Sequence, residues 1–479
     1  MISTSDAHSG ILWSAISRVT IHVFQFITLI ILARLLTPDE FGLIASSLVV
    51  LGFLNIFRDL GISSAIIQKT NLNDELINSV YWIVLLIGIM MNLVLFFSAH
   101  LIAEFYNADK LTSILKVMSF SFSITSISIM HQALLERELK FKKIAICEMS
   151  AIIAGSLSAI VLAFLGFGIW SLVIQGLVNA FALTLILWLL NPYRPRFLFS
   201  FSEIKSIFKF SANLSGFNIV NYFVRNADYV LIQKYLGEEQ LGYYNIAYRI
   251  MLYPLQNIAS VFSRVMFPFY SKLQSDNARI SEMYIRLVNN IALISFPLML
   301  FITAASDVLL LSLLGEKWSS TIPILIILAP IGMIQSVYTP AGSIFQAKGR
   351  TDLWFKWGLF TGVIFVSAFV LGLKWGILGV SIGYLIANII TIYPGLRISL
   401  KLIDLPVSDF ITSFGKTFLI SLCMFLLIYF VKISLYPYMT HLELLVLLAL
   451  LALLFYVPVS FIFNRTRINE LLAIIKNYR

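Results

Sequence analysis

The chain has 479 residues, of which 59% are hydrophobic and only 12% charged, and it carries a net charge of +10. An ordinary soluble domain has roughly 25% charged residues, so this composition excludes a soluble globular protein and specifies a polytopic membrane protein. The basic residues sit in short loops and form no tract, which argues against nucleic acid as a partner and for a topology signal with lipid headgroup contact.

Apolar runs of about 20 residues, the length that crosses a bilayer, fall at fourteen places: 11–33, 41–66, 80–103, 112–132, 144–165, 169–190, 210–233, 243–266, 288–306, 321–346, 356–373, 377–396, 414–432 and 442–463. The first run is too long for a signal core and no small-residue cleavage site follows it, so it reads as a retained span. Cys147 and Cys423 lie in or beside apolar segments without metal-ligand spacing; neither disulfide, metal nor cofactor is expected. With the N-terminus placed inside, 23 of the 34 basic residues fall on cytoplasmic loops, 7 on outer loops and 4 within spans. Both termini are therefore expected in the cytoplasm.

Sliding the chain by 200 residues aligns Arg34–Gly42 with Lys234–Gly242, and sliding it by 208 aligns Gly168-Ile169 with Gly376-Ile377. Six crossings separate the partners, so the halves enter the membrane in the same direction, as in parallel repeats related by an axis along the membrane normal. The expected organisation is an N-lobe over 1–200 (spans one to six plus linker), a C-lobe over 201–400 (spans seven to twelve), and spans thirteen and fourteen with a basic cytoplasmic tail over 401–479. The linker Asn191–Lys209, with Pro192 and Pro195, is expected to lie as a short amphipathic helix on the cytoplasmic surface. Pro254, Pro297, Pro323, Pro330 and Pro340 are expected bend points.

The chemistry concentrates on arginines at membrane depth. Arg18, Arg58, Arg225 and Arg249 lie within spans one, two, seven and eight, the repeat-equivalent pairs. Arg18 shares a helical face with Ser14, His22 and Gln25. Arg249 shares one with Asn245, Gln256, Ser260 and Ser263. Ser211, Asn218, Asn221, Arg225 and Asp228 form a polar stripe over about a third of the seventh span's circumference. An Arg at the bilayer centre costs about 3 kcal/mol even on the mild insertion scale, so such a stripe faces other helices or water. The acids in these four spans are Asp59 and Asp228 only, and Asp228 can pair with Arg225 one turn away. Two surplus charges are best explained by an anionic visitor such as a phosphate or pyrophosphate. Against this stands snorkelling to the interfaces. Asp228 and His22 are the candidates for ion or proton coupling.

Several stretches resemble the polysaccharide flippases of the MOP superfamily, in particular the branch similar to colanic-acid exporters. These are Ala33–Leu43 (ARLLTPDEFGL), Asp59-Leu60-Gly61, Ala133–Lys143 (ALLERELKFKK), Gly166–Val173 (GFGIWSLV) and Leu241–Arg249 (LGYYNIAYR). The resemblance implies an all-α, MATE-like bundle of two six-helix lobes plus two helices, open alternately to either side. It implies no enzyme activity, and a polyprenyl-diphosphate-linked oligosaccharide moved from the cytoplasmic to the outer leaflet of the bacterial inner membrane for surface polysaccharide synthesis. Its partners are then that lipid-linked oligosaccharide and membrane lipids, with polysaccharide polymerase machinery as a further candidate. The substrate-contact residues it points to are Arg18, Arg58, Arg225, Arg249, Asn221, Gln25, Asn245 and Gln256. A cation-coupled drug antiporter would favour acids in its cavity, and a membrane polymerase needs a larger outer loop than any here. No glycine-rich ATP loop is present.

Overall fold

The computed structural model describes residues 4–59, 66, 72–201, 221–252, 270, 273–274 and 276–465; the side chains of 4–16, 19 and 59 lie outside that description. In chain order the helices are α1 (Thr4–Leu35), α2 (Pro38–Asp59), α3 (Asp74–Tyr106), α4 (Lys110–Ser126), α5 (Ile129–Arg137), α6 (Phe141–Phe164) and α7 (Trp170–Leu190). Then come α8 (221–236) and α9 (238–252). They are followed by α10 (Asn277–Ala304), α11 (Ser306–Leu313), α12 (Thr321–Tyr338), α13 (Ala341–Ala347), α14 (Thr351–Gly372), α15 (Gly376–Lys401), α16 (Val407–Ser413), α17 (Gly415–Leu435) and α18 (His441–Phe463). Helix is the expected answer to long apolar runs, because a chain in lipid must satisfy its own backbone hydrogen bonds.

A helix lies at each of the fourteen expected positions. Among the described residues nine helical stretches are long and apolar enough to span a membrane, and ten if α4 and α5, bent by 43° at their junction, form one span. One of the nine, Thr351–Lys401, holds two expected spans. It folds into the hairpin α14–α15 at Gly376, whose φ of +67° suits only glycine without strain. Its repeat partner Gly168 is likewise left-handed, at +53°. Polar caps set several starts: Asn73 accepts from Leu76 N at 2.9 Å, and Thr440 and Glu443 form a reciprocal capping box. Pro297 and Pro330 lie inside helices, and Pro340 separates α12 from α13. Ser211, Asn218, Pro254, Gln256, Ser260, Ser263 and the end of the basic tail after Arg465 lie outside the described residues.

The chain divides into two compact units, Met1–Gly242 and Tyr243–Arg479. In unit 1, α3 packs on α4, α6 on α7, and α1 on α6. Leu95, Ala99, Leu111, Leu115 and Phe122 fill one core. Between lipid-facing helices there is little hydrophobic drive, so close packing of small residues carries the association. The closest approach joins the two copies of the repeated segment. A Cβ on Gly42 would sit 1.8 Å from the Glu238 carbonyl oxygen, and one on Gly242 would sit 1.9 Å from the Pro38 carbonyl oxygen. Residues 38 and 42 correspond to 238 and 242 under the 200-residue shift, so the contact is reciprocal. Further along, Ser46 donates to Gln233 Oε1 at 2.7 Å and Tyr222 donates to the Val49 carbonyl at 2.7 Å, which runs α2 and α8 antiparallel.

In unit 2, α10 is the most enclosed span. It packs on α12 and α17, with Ser295 and Ser336 sharing a 2.8 Å hydrogen bond. The α17–α18 hairpin is held by Lys432 on Asp307 at 3.0 Å and by Tyr456 donating to the Leu293 carbonyl at 2.8 Å.

Over its described part, Asn191–Phe201, the linker is not the amphipathic helix expected up to its final residue. It is an irregular strap, because Pro192 and Pro195 lack the N–H a helix needs and side chains of α3 take two of the N–H groups that remain: Arg196 N donates to Asn78 Oδ1 at 2.6 Å and Ser200 N to Ser79 Oγ at 2.7 Å.

Candidate functional site

Unit 1 carries Arg18, His22, Gln25, Arg58, Asn221, Arg225 and Asp228; unit 2 carries Asn245 and Arg249. On α1 two opposite faces are exposed. Val23 and Ile27, 49% and 48% exposed, form an apolar one. Arg18 and Gln25 are exposed about 140–180° away at 100° per residue, with His22 half-buried at the edge of their face. A helix in lipid turns its apolar exposed face to the acyl chains, so the Arg18–Gln25 face borders polar space. Helix α8 repeats the pattern: Asn221 and Arg225 are exposed on one side, and Phe223, itself exposed, packs on Phe53 of α2 at 4.9 Å on the other. Asp228 is turned inward, 3% exposed, and its carboxylate accepts from its neighbour's N–H, Tyr229, at 2.9 Å.

Arg58 is only half exposed, and its guanidinium donates to Thr125 Oγ1 of α4. It ties α2 to α4. Thr125 in turn donates to the Ser121 carbonyl at 2.7 Å, so the bond is backed by the helix itself. In unit 2, Arg249 is exposed while Asn245, one turn earlier, is 5% exposed and interior.

Two features escaped the sequence reading. The first is Glu148 of α6, which interacts electrostatically with Arg18 and with Glu136. The helix α6 lies along α1, so an acid from span five compensates an arginine of span one. The acids of those four spans alone therefore overstate the surplus charge. A search of all spans for acids would have found Glu148; its pairing needed the packing. The second is a polar cluster beside Arg249. Gln335 donates to the Tyr384 hydroxyl at 2.7 Å and to Asn388 Oδ1 at 3.2 Å, and Tyr384 lies 6.3 Å from the ring of Tyr248. Among the described residues no group of acids, histidines and cysteines could hold a metal ion.

Residues 31–323 match the family described as "Polysaccharide biosynthesis protein". The chain is 31% identical over 385 residues to the lipopolysaccharide biosynthesis protein WzxC of Escherichia coli (strain K12), covering 80% of this chain and 78% of that one. It is 31% identical over 363 residues to the succinoglycan biosynthesis transport protein ExoT of Rhizobium meliloti (strain 1021), covering 75% and 73%. Its fold matches the solved structure of the lipid II flippase MurJ in an inward closed conformation, with a TM-score of 0.77 at 18% identity over 96% of this chain and all of the other.

Proposed function

The chain belongs to the polysaccharide biosynthesis protein family, and from that premise we propose that it is a flippase for polyprenyl-diphosphate-linked oligosaccharide repeat units. It works in the bacterial inner membrane, with both termini in the cytoplasm, and moves its cargo from the cytoplasmic to the outer leaflet by alternation of the lobes 1–200 and 201–400. Spans thirteen and fourteen stand outside that repeat. It is not an enzyme: the sugar and the diphosphate leave as they entered.

The observation that carries this reading is the pair of two-faced helices, α1 and α8, each with an exposed arginine opposite an exposed apolar side chain. Guanidinium forks bind phosphate oxygens with two parallel charge-assisted hydrogen bonds, so Arg18 and Arg225 are the proposed diphosphate contacts. Gln25 and Asn221 are their neutral neighbours for sugar hydroxyls. Arg249, with Tyr248 next to it, is a further contact from unit 2. Arg58, held by Thr125, positions α2. Glu148 is the internal counter-ion that occupies Arg18 until the cargo's diphosphate displaces it. Asp228, buried, is the proposed coupling acid. A drug or cation antiporter is disfavoured because the exposed charged side chains on these faces are basic.

The test is leaflet exchange of a fluorescent lipid-diphosphate sugar in vesicles containing the purified protein. Wild type is expected to accelerate exchange, and Arg225→Ala to lose most of that acceleration at equal protein incorporation. Unchanged exchange in Arg225→Ala and Arg18→Ala would remove the arginines from the mechanism, and no acceleration by wild type would remove the mechanism.

A further inference from the structure

In unit 2 a polar triad stands at mid-depth. Gln335 of α12 donates to the Tyr384 hydroxyl at 2.7 Å and to Asn388 Oδ1 at 3.2 Å, both on α15. Gln335 and Asn388 lie within about two residues, or 3 Å, of the midpoints of the apolar runs 321–346 and 377–396. Polar side chains at that depth are costly unless they serve a neighbour or a wet space. The triad does not face the acyl chains. The exposed apolar side chains of α15, Leu378, Ile382, Ile386, Ile389 and Tyr393, share a sector of about 80° at 100° per residue. Tyr384 and Asn388, both buried, lie about 120–160° from the centre of that sector.

The hydrogen bonds fix which way each amide points. Asn388 Nδ2 donates to the Tyr384 main-chain carbonyl at 2.8 Å, and a carbonyl can only accept. Asn388 Oδ1 is therefore the end that meets Gln335, and only the NH2 group of Gln335 can answer it. The second N–H of that group goes to the Tyr384 hydroxyl. Both donors of Gln335 are thus used inside the protein, while its Oε1 has no hydrogen-bond partner among the described residues and Gln335 itself is only half-buried. Two bonds hold the carboxamide in place and leave its oxygen as an acceptor prepared for a donor from outside the protein.

An aromatic wall adjoins the triad. The Tyr384 ring lies 6.3 Å from the ring of half-buried Tyr248, which stacks on buried Tyr244 with centroids 5.8 Å apart. Arg249, a diphosphate contact in the reading above, follows Tyr248 directly, about 3.8 Å away between Cα atoms. Ligand sites combine such walls with a few placed polar groups. A phosphate only accepts and would be repelled by Gln335 Oε1, whereas a sugar offers hydroxyl donors around a ring of C–H bonds. We propose that Gln335 is a sugar-reading residue: its Oε1 accepts a hydrogen bond from a hydroxyl of the oligosaccharide, and Tyr384 and Asn388 are the positioning residues that aim it. The proposal rests on the cargo reading above and adds a recognition point in unit 2 that the diphosphate does not use.

The experiment titrates the purified full chain in detergent, by calorimetry, with two probes: undecaprenyl diphosphate, and undecaprenyl diphosphate carrying a disaccharide of glucose and galactose. Wild type is expected to bind the disaccharide probe roughly tenfold more tightly. Gln335→Met keeps the length of the side chain and removes its acceptor, and it is expected to bring the two affinities together by weakening the disaccharide probe. Tyr384→Phe removes one of the two bonds that hold the carboxamide. It is expected to narrow the preference by roughly threefold, and it carries the test should Gln335→Met fold poorly. Equal binding of the two probes by wild type overturns the subsite and leaves the cargo reading standing. Binding of neither probe removes the cargo reading and the subsite with it. Variants that keep the wild-type preference, whether they bind both probes as before or lose both alike, mark the triad as a clamp between α12 and α15 and overturn the inference.

Discussion

The junction of α2 with α8 and residues 238–242 and the polar faces of α1 and α8 lie in the same unit and work by opposite means. At the junction Gly42 and Gly242 place backbone against backbone, and what matters is the absence of a side chain. On the polar faces the backbone is ordinary helix, and what matters is the charge at the tip of Arg18 and Arg225. The difference teaches that in this bundle close packing is written in glycine and, under the function proposed above, recognition in arginine, so that the two should fail differently when mutated.

The largest effect is expected at the junction. Gly42→Val would drive carbon into the Glu238 carbonyl, which cannot swing away as a side chain would; overpacking of this kind costs about 3 kcal/mol. Thermal unfolding in detergent should show a drop of many degrees, or no folded protein. Gly176→Ala, where nothing lies within 4 Å of the added carbon, should leave the transition where it was. If the two variants melt alike, the close approach is not structural.

Next comes Arg225→Ala, expected to slow cargo exchange about tenfold or more with the melting transition within a degree or two of wild type. A matching loss of stability would make Arg225 a packing residue and blur the contrast. Glu148→Gln sharpens it from the other side. Removing the internal counter-ion should tighten binding of a lipid-diphosphate probe several-fold by calorimetry, whereas Arg18→Gln weakens it. In the double variant the Glu148→Gln gain should vanish, since neighbours that share an interaction do not add; a gain that persists would show that Glu148 acts elsewhere.

The smallest effect is expected at the outer end of unit 2. Asp307→Asn breaks the partly enclosed bond to Lys432 and should cost about 1 kcal/mol, seen as a shift of a few degrees that Lys432→Met does not deepen.

Helix positions over the described residues were legible in the sequence because each depends on a continuous run of about twenty apolar residues, which lipid reads locally. The repeat was legible too: a faint likeness between 34–42 and 234–242 corresponds to a reciprocal contact, and Gly168 and Gly376 share a left-handed backbone. Arg18 and Gln25 were found by their shared helical face. Glu148 was missed because it is 130 positions from Arg18 and only the packing of α6 on α1 brings them together. The linker departs from the expected helix over 191–200 because its chemistry there is borrowed: Asn78, Ser79 and Trp82, more than a hundred residues earlier, supply hydrogen bonds that an isolated amphipathic segment would find within a helix.

The mutual approach of Gly42 and Gly242 limits how this protein can repair itself. Damage at most crowded positions is relieved by trimming whichever side chain stands in the way, but at Gly42 the obstacle is the main chain at residue 238, and at Gly242 it is the main chain at residue 38. No codon change removes a carbonyl. Revertants of a substitution at either glycine should therefore restore glycine at the same site, and a random library screened for intragenic suppressors should return almost nothing else.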